Sequence, residues 1–312
     1  MARRAPRVVA VGDAIVDRIT PPMSALPRGD FQGSVERFET LPGGNATNFS
    51  LQMARLGAKT AFVGVVGRDA DGDLLRQAYR RHGVRALVRT HPDRATGATI
   101  ALTWSGGGRA LITSLGANGA FELRHVPADL FRRFDHVHRA GFWWTPRFIG
   151  RPTAALLARA RRDGASTSLD TSTDPEGWTR DRVHAVRDAL PHVDTFFGNE
   201  VEVRALGGAS SLVAAARRIL AVGAGEVVIH RGKRGSAQVT RTEVTRAPAF
   251  SVPEENPTGC GDSFNAAFIY SKLGGQSVPE ALRFANACSA LHLRDRYHPY
   301  PRAAEVRRFL AE

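Results

Sequence analysis

Cysteine, lysine and long apolar runs are what this chain has least of. Cys260 and Cys288 are the only two cysteines in 312 residues, which leaves no disulfide framework and no CxxC metal pair. The lysines are Lys59, Lys233 and Lys272, so nearly all of the 43 basic residues are arginine. Near the basic start, the apolar stretch Val8–Val11 is far too short for a signal core or a membrane span. No repeat, low-complexity tract or Pro/Ser-rich linker divides the sequence. These absences argue against a secreted, membrane-spanning or zinc-finger protein, and the expectation is a cytoplasmic enzyme.

The formal net charge of +13 raises the question of a nucleic-acid partner. The arginines are scattered, however, in short pairs such as Arg80-Arg81 and Arg217-Arg218 on the solvent faces of amphipathic segments. Phosphate-backbone binding needs a contiguous footprint, so the expectation is no nucleic acid and no membrane.

A chain of this length buries roughly three quarters of its unfolded surface and folds without staples. Short apolar runs alternate with helical patterns, the signature of βαβ units around a parallel sheet. Strands are expected at 7–12, 61–66, 136–140, 166–170, 193–198 and 226–230, and helices at 45–56, 73–82, 151–162, 178–190, 208–222, 262–273 and 278–292. The whole chain, 1–312, reads as one unit. Two stretches, about 18–42 and 96–114, break the rhythm with turn residues Pro21-Pro22 and Gly106-Gly107-Gly108. They read as a small β-sheet lid over the carboxyl ends of the parallel strands, where open α/β sheets bind ligands.

The segment Asn256-Pro-Thr-Gly-Cys-Gly-Asp-Ser-Phe-Asn265 carries the chemistry. Gly259, Cys260 and Gly261 precede a helical pattern, so their backbone N–H groups meet the positive end of a helix dipole, an anion site. Asp262 beside them fits a base that takes a hydroxyl proton while the amides hold a transferring phosphoryl group. The plainer alternative is a helix-capping acid.

At this point the sequence resembles the PfkB (ribokinase-like) family of carbohydrate and nucleoside kinases. Thr258–Phe264 is similar to that family's C-terminal signature, and Pro42-Gly43-Gly44-Asn45-Ala46-Thr47-Asn48, with Gly64–Gly72, to its N-terminal one. The resemblance implies a three-layer α/β/α fold with a mostly parallel central sheet and a lid. It also implies transfer of the γ-phosphoryl of ATP to an alcohol, commonly primary, on a small sugar-like substrate. By the same resemblance Asp262 is the base, and Gly259, Cys260 and Gly261 form the anion hole. Asp17, Gly43, Gly44, Asn48 and Asn118 face the acceptor, while Asn199, His230, Gly232, Gly235 and Asn286 face the nucleotide. Glu202, in the motif Asn199-Glu-Val-Glu202, supports Mg²⁺ through water.

This chain also departs from the family. His230 stands in place of a threonine, and Asn256 in place of an aspartate that helps ligate a monovalent cation, which leaves a need for such a cation open. Ile15 replaces a polar sugar-binding group. Arg139, on the face of its strand directed at the substrate in relatives, points to an anionic acceptor, or is one more solvent-facing arginine. The leading expectation is a kinase of a sugar or anionic sugar derivative. The alternatives are a nucleoside kinase and a catalytically silent sugar-binding regulatory relative. Pairing through the lid into a homodimer would cover exposed strand edges.

Overall fold

The computed structural model describes residues 4–24, 29, 33–105 and 109–312. In chain order the strands are β1 (Arg7–Val11), β2 (Ile15–Ile19), β3 (Glu39–Gly43), β4 (Lys59–Val66), β5 (Arg85–Thr90), β6 (Gly97–Thr103), β7 (Arg109–Ser114), β8 (His136–Arg139), β9 (Ser166–Asp170), β10 (Thr195–Asn199), β11 (Glu226–His230), β12 (Ser236–Val239) and β13 (Val244–Ala247). The α-helices are α1 (Asn45–Arg55), α2 (Ala70–Arg81), α3 (Arg151–Arg162), α4 (Arg180–Arg187), α5 (Glu200–Gly207), α6 (Leu212–Val222), α7 (Cys260–Leu273), α8 (Val278–Leu293) and α9 (Ala303–Ala311).

Side chains alternate across a strand, and β1 shows what that does to a sheet covered on both faces. Val8 and Ala10 join Phe62, Phe197 and Val228 in a core made with α1, α2, α7, α8 and α9. Val9 and Val11 join Ala61, Val63 and Val137 on the other face, under Phe121, Phe148 and Leu156 of the layer containing α3. Farther along that face Leu169, Phe196, Val227 and Ile229 pack under α4, α5 and α6. The result is the expected three-layer α/β/α sandwich.

The central sheet has nine strands in the order β13-β12-β11-β10-β9-β8-β1-β4-β5. All its pairs are parallel except β11–β12 and β12–β13. A second sheet of four strands, β3-β2-β6-β7, takes strands from both stretches expected to leave the α/β rhythm, though β2 begins at Ile15, ahead of the expected 18, and β3 runs to Gly43. Residues 25–28, 30–32 and the Gly106–Gly108 turn of those stretches lie outside the described residues. Only Gly12–Ala14 separate β1 from β2, so the chain leaves the central sheet at its carboxyl edge and enters the small sheet at once.

Several boundaries differ from the sequence expectation. Helix α2 starts at Ala70 rather than 73, because the Asp69 carboxylate accepts from Gly72 N at 2.8 Å and caps the helix there. Helix α5 was not expected; Asn199 and Glu202 start it as a reciprocal capping box, and Gly208 at φ 62° ends it. The helix expected from 208 therefore begins at Leu212. Strands β5, β12 and β13 and helix α9 were also not anticipated; β12 and β13 are four residues each, too short to show a period. No single helix among the described residues is long and apolar enough to cross a membrane.

Candidate active site

The carboxyl ends of β1, β8, β9, β10 and β11 open toward one edge, and the start of α7 is laid across it. Gly259 caps α7 at φ +84°, a left-handed conformation that only glycine enters cheaply. The helix therefore begins at Cys260, and the N–H groups of its first turn have no intrahelical acceptor. Asp262 stands in that turn with 4% of its surface exposed. Its Oδ1 accepts from Asn45 Nδ2 at 3.1 Å and its Oδ2 from Asn48 Nδ2 at 3.0 Å. The Asn48 Oδ1 in turn accepts from the Tyr300 hydroxyl at 2.9 Å.

Two cavities meet at this segment. Gly259 and Asp262 line one of about 230 Å³, together with Asp17, Gly44 and Asn48. Cys260 and Gly261 line another of about 600 Å³, together with His230, Gly232, Gly235 and Asn286. The segment is a partition with a carboxylate on one side and bare main chain on the other.

The smaller cavity is acidic. Burial, and then the charge of Asp170, push the Asp262 carboxyl well above the ordinary range, while hydrogen bonds from Asn48 and Asn45 pull it back. Asp17 is raised to about 7 by burial and by Asp13, against a hydrogen bond from Thr99 and the charge of Arg109. Gly43 lies behind it: a Cβ there would sit 2.1 Å from Asp17 Oδ2, so the strand needs glycine for the two to pass. Asp13 was not singled out from the sequence. It is fully buried and accepts from Asn45 N at 3.0 Å and Ala46 N at 2.9 Å, capping α1 from outside because the N-cap residue, Gly44, has no side chain.

On the other side, His230 Nε2 lies 2.8 Å from Asn265 Oδ1, and Asn265 Nδ2 donates to Asp170 Oδ2 at 2.6 Å. Asn286 donates to the carbonyls of Ala247 and Pro248, holding the end of β13, from which Ala249–Val252 run on to wall the larger cavity. Asn199 and Glu202 line neither cavity. Both Glu202 oxygens are engaged: Oε1 by Asn199 Nδ2 at 2.6 Å and Thr173 Oγ1 at 2.9 Å, Oε2 by Asn199 N at 2.8 Å. Burial and Asp170 raise its carboxyl to about 7. Thr173 does line the smaller cavity, so Glu202 sits one residue behind it.

Two expected acceptor contacts are corrected. Arg139 is fully buried, and its guanidinium bonds to the carbonyls of Val11 and Ala140 and the hydroxyls of Thr145 and Thr153. It lies 5.0 Å over the Phe148 ring, and burial pushes its pKa down to about 9. The strand ends at Arg139, so its period of two does not carry on toward the cavity, and the side chain stays in the core. Asn118 is buried as well, its amide spent on both backbone groups of Ala14 at 2.9 and 2.8 Å, so it shapes the β1–β2 link without reaching the cavity.

The cation that does face the smaller cavity is Arg109, at the start of β7, with Nη1 2.8 Å from Thr258 Oγ1. Thr99, Trp144 and Thr173 also line it. Among the forty arginines nothing local marks Arg109; a period-two reading of a strand pairing β6 residue for residue would have placed it opposite Thr103, on the face shared with Ala101 and Thr99.

Comparison with known proteins bears on this arrangement. Residues 5–298 match the family described as pfkB family carbohydrate kinase. An ATP-dependent ribose-1-phosphate kinase of Halopiger xanaduensis is 30% identical over 98% of this chain and 98% of its own. A nucleoside kinase of Methanothermobacter thermautotrophicus is 28% identical over 92% of this chain and 89% of its own. Ribokinase of Arabidopsis thaliana, solved with ribose and ATP, superposes with a TM-score of 0.82 at 24% identity, over 99% of this chain and 100% of that one.

Proposed function

The chain belongs to the pfkB family of carbohydrate kinases, and from that membership we propose that it moves the terminal phosphoryl group of ATP onto a hydroxyl, primary in the leading case, of a sugar or anionic sugar derivative. The observation that carries this reading is the partition: one turn of helix divides a polar cavity of monosaccharide scale from a larger one, with Asp262 facing the first.

The acceptor oxygen attacks the γ-phosphorus, the bond to the bridging oxygen breaks, and ADP departs. Asp262 takes the hydroxyl proton; each of its oxygens accepts one amide and keeps a further lone pair. Asn48 and Asn45 hold the carboxylate in plane. The N–H groups of Gly259, Cys260 and Gly261 face the negative charge on the equatorial oxygens, and phosphoryl transfer asks for little else. Asp17 and Asn48 orient the remaining acceptor hydroxyls. Gly232, Gly235, His230 and Asn286 shape the nucleotide cavity.

Mg²⁺ would neutralise phosphate charge. Among the described residues no group of three or more His, Cys, Asp or Glu is placed to cage a metal. A buried carboxylate whose oxygens are already engaged, as in Glu202, suits an ion held by phosphates and water. Its residues fit that role with Asn199.

Arg109 and the ribose-1-phosphate kinase relative favour an anionic acceptor, with Arg109 in the place first given to Arg139. The small sheet would act as lid and as a pairing surface: Ile100 and Ile112, directly opposed, are 43% and 64% exposed. A monomeric elution profile at micromolar concentration would overturn the pairing. The activity is tested by coupled ADP detection over sugars, aldonates, sugar phosphates and nucleosides. Turnover with sugars or sugar phosphates is expected; turnover with nucleosides alone makes the chain a nucleoside kinase, and none at all a silent relative.

A further inference from the structure

Residue His292, in the last turn of α8, touches neither the proposed base nor the bare main chain of the nucleotide cavity, yet it is 2% exposed and fully engaged. Its Nε2 lies 2.7 Å from the carbonyl oxygen of Thr258, and its Nδ1 2.9 Å from the hydroxyl of Ser263. These two partners flank Gly259–Asp262 on either side. We infer that His292 is the positioning residue of the anion hole, holding the Thr258–Gly259 peptide so that the Gly259 N–H is aimed at the transferring phosphoryl group.

The argument is one of peptide geometry. A trans peptide is planar, with its C=O and N–H pointing in opposite directions. Fixing the Thr258 carbonyl on His292 therefore turns the Gly259 N–H away from His292, toward the partition between the two cavities. Without that grip the plane is free to rotate, because Gly259 has no Cβ to resist; a Cβ there would lie 3.2 Å from His292 Cε1 and 3.2 Å from Asn48 Nδ2. Burial lowers the pKa of the imidazole, against hydrogen bonds to the carbonyls of Thr258 and Pro299, and the neutral ring carries a single N–H. Nε2 has two neighbours, the Thr258 oxygen at 2.7 Å and Asn256 Nδ2 at 3.3 Å; the shorter contact to the carbonyl takes the proton on Nε2, which leaves Nδ1 to accept from Ser263. The ring thus ties the loop before the helix to the first turn after it. Tyr300, whose ring lies 5.8 Å from that of His292, continues the support to Asn48 and through it to Asp262.

This inference rests on the kinase reading, and the test separates the two. His292→Leu keeps bulk but loses both polar contacts; His292→Gln can still donate to the Thr258 carbonyl. With the best acceptor of the panel, His292→Leu is expected to lower kcat at least tenfold, in line with the ~10²-fold cost of a misplacement of about 1 Å, with either KM moving less than threefold. His292→Gln should recover most of the rate. Hydrogen exchange over residues 255–266 in the free protein should be faster in His292→Leu than in wild type or His292→Gln. Should His292→Leu not fold, Ser263→Ala carries the test, with a smaller kcat loss in the same direction. A wild type without phosphotransfer refutes the kinase reading. An active wild type, with kcat in the Leu or Ala variant within twofold of it, or with Gln no better than Leu, overturns the role of His292.

Discussion

Asn48 and Asp262, separated by 214 positions, meet at 3.0 Å. That contact joins the two segments on which the family resemblance rests. It also explains why one needs an amide where the other has a carboxylate: the amide N–H groups leave the acid in place while lowering the energy of its charged form.

Replacing Asp262 by Asn is expected to lower kcat at least 10²-fold, the low end for removal of a general base. Folding should not suffer. The substitution removes a buried charge that Asp170 and Asp13 repel, so the melting temperature is expected to hold or rise. Near-normal turnover would remove the catalytic assignment.

Because burial raises the Asp262 carboxyl, the acid limb of kcat/KM should fall at a pH above the ordinary carboxylate range. Asp17, at about 7, adds to the same limb. A rate flat down to pH 4 would contradict both.

Stability has its own sign. Asp17 and Glu202 bind protons more tightly when folded, at about 7, than free side chains of their kind do, at 3.8 and 4.5. Their contribution is full below about pH 4 and is lost as pH rises through about 7. The urea midpoint should therefore fall between pH 5.5 and 8, and Asp17→Asn should flatten the decline.

Arg139 and Arg109 should separate cleanly. Arg139→Met leaves several buried acceptors unpaired and is expected to cost about 3 kcal/mol or more of stability. Arg109→Gln, at an exposed position, should leave the melting temperature in place and raise KM for a phosphorylated acceptor at least tenfold. The opposite pattern would return the acceptor contact to Arg139.

Gly259→Ala is a further check on the loop. An L-residue at φ +84° costs about 1–2 kcal/mol, and the new methyl would press on Asn48 and His292. A loss of rate well beyond the loss of stability is expected from parallel kinetic and thermal measurements.

Chain order alone determined the α/β rhythm and the glycine-bounded start of α7, because each is written in local period and backbone freedom; that the segments of Asn48 and Asp262 belong to one site followed only from the family resemblance. Tertiary structure decided the rest. Whether an arginine at a strand end turns toward a cavity or under the sheet depends on what its neighbours leave open, and Arg139 found carbonyls and hydroxyls in the core while Arg109, with no local mark, was carried to the site by strand pairing. Asp13 and His292 were equally silent in the sequence: each acts by capping or gripping backbone from a distant segment, and no period along the chain records such a contact.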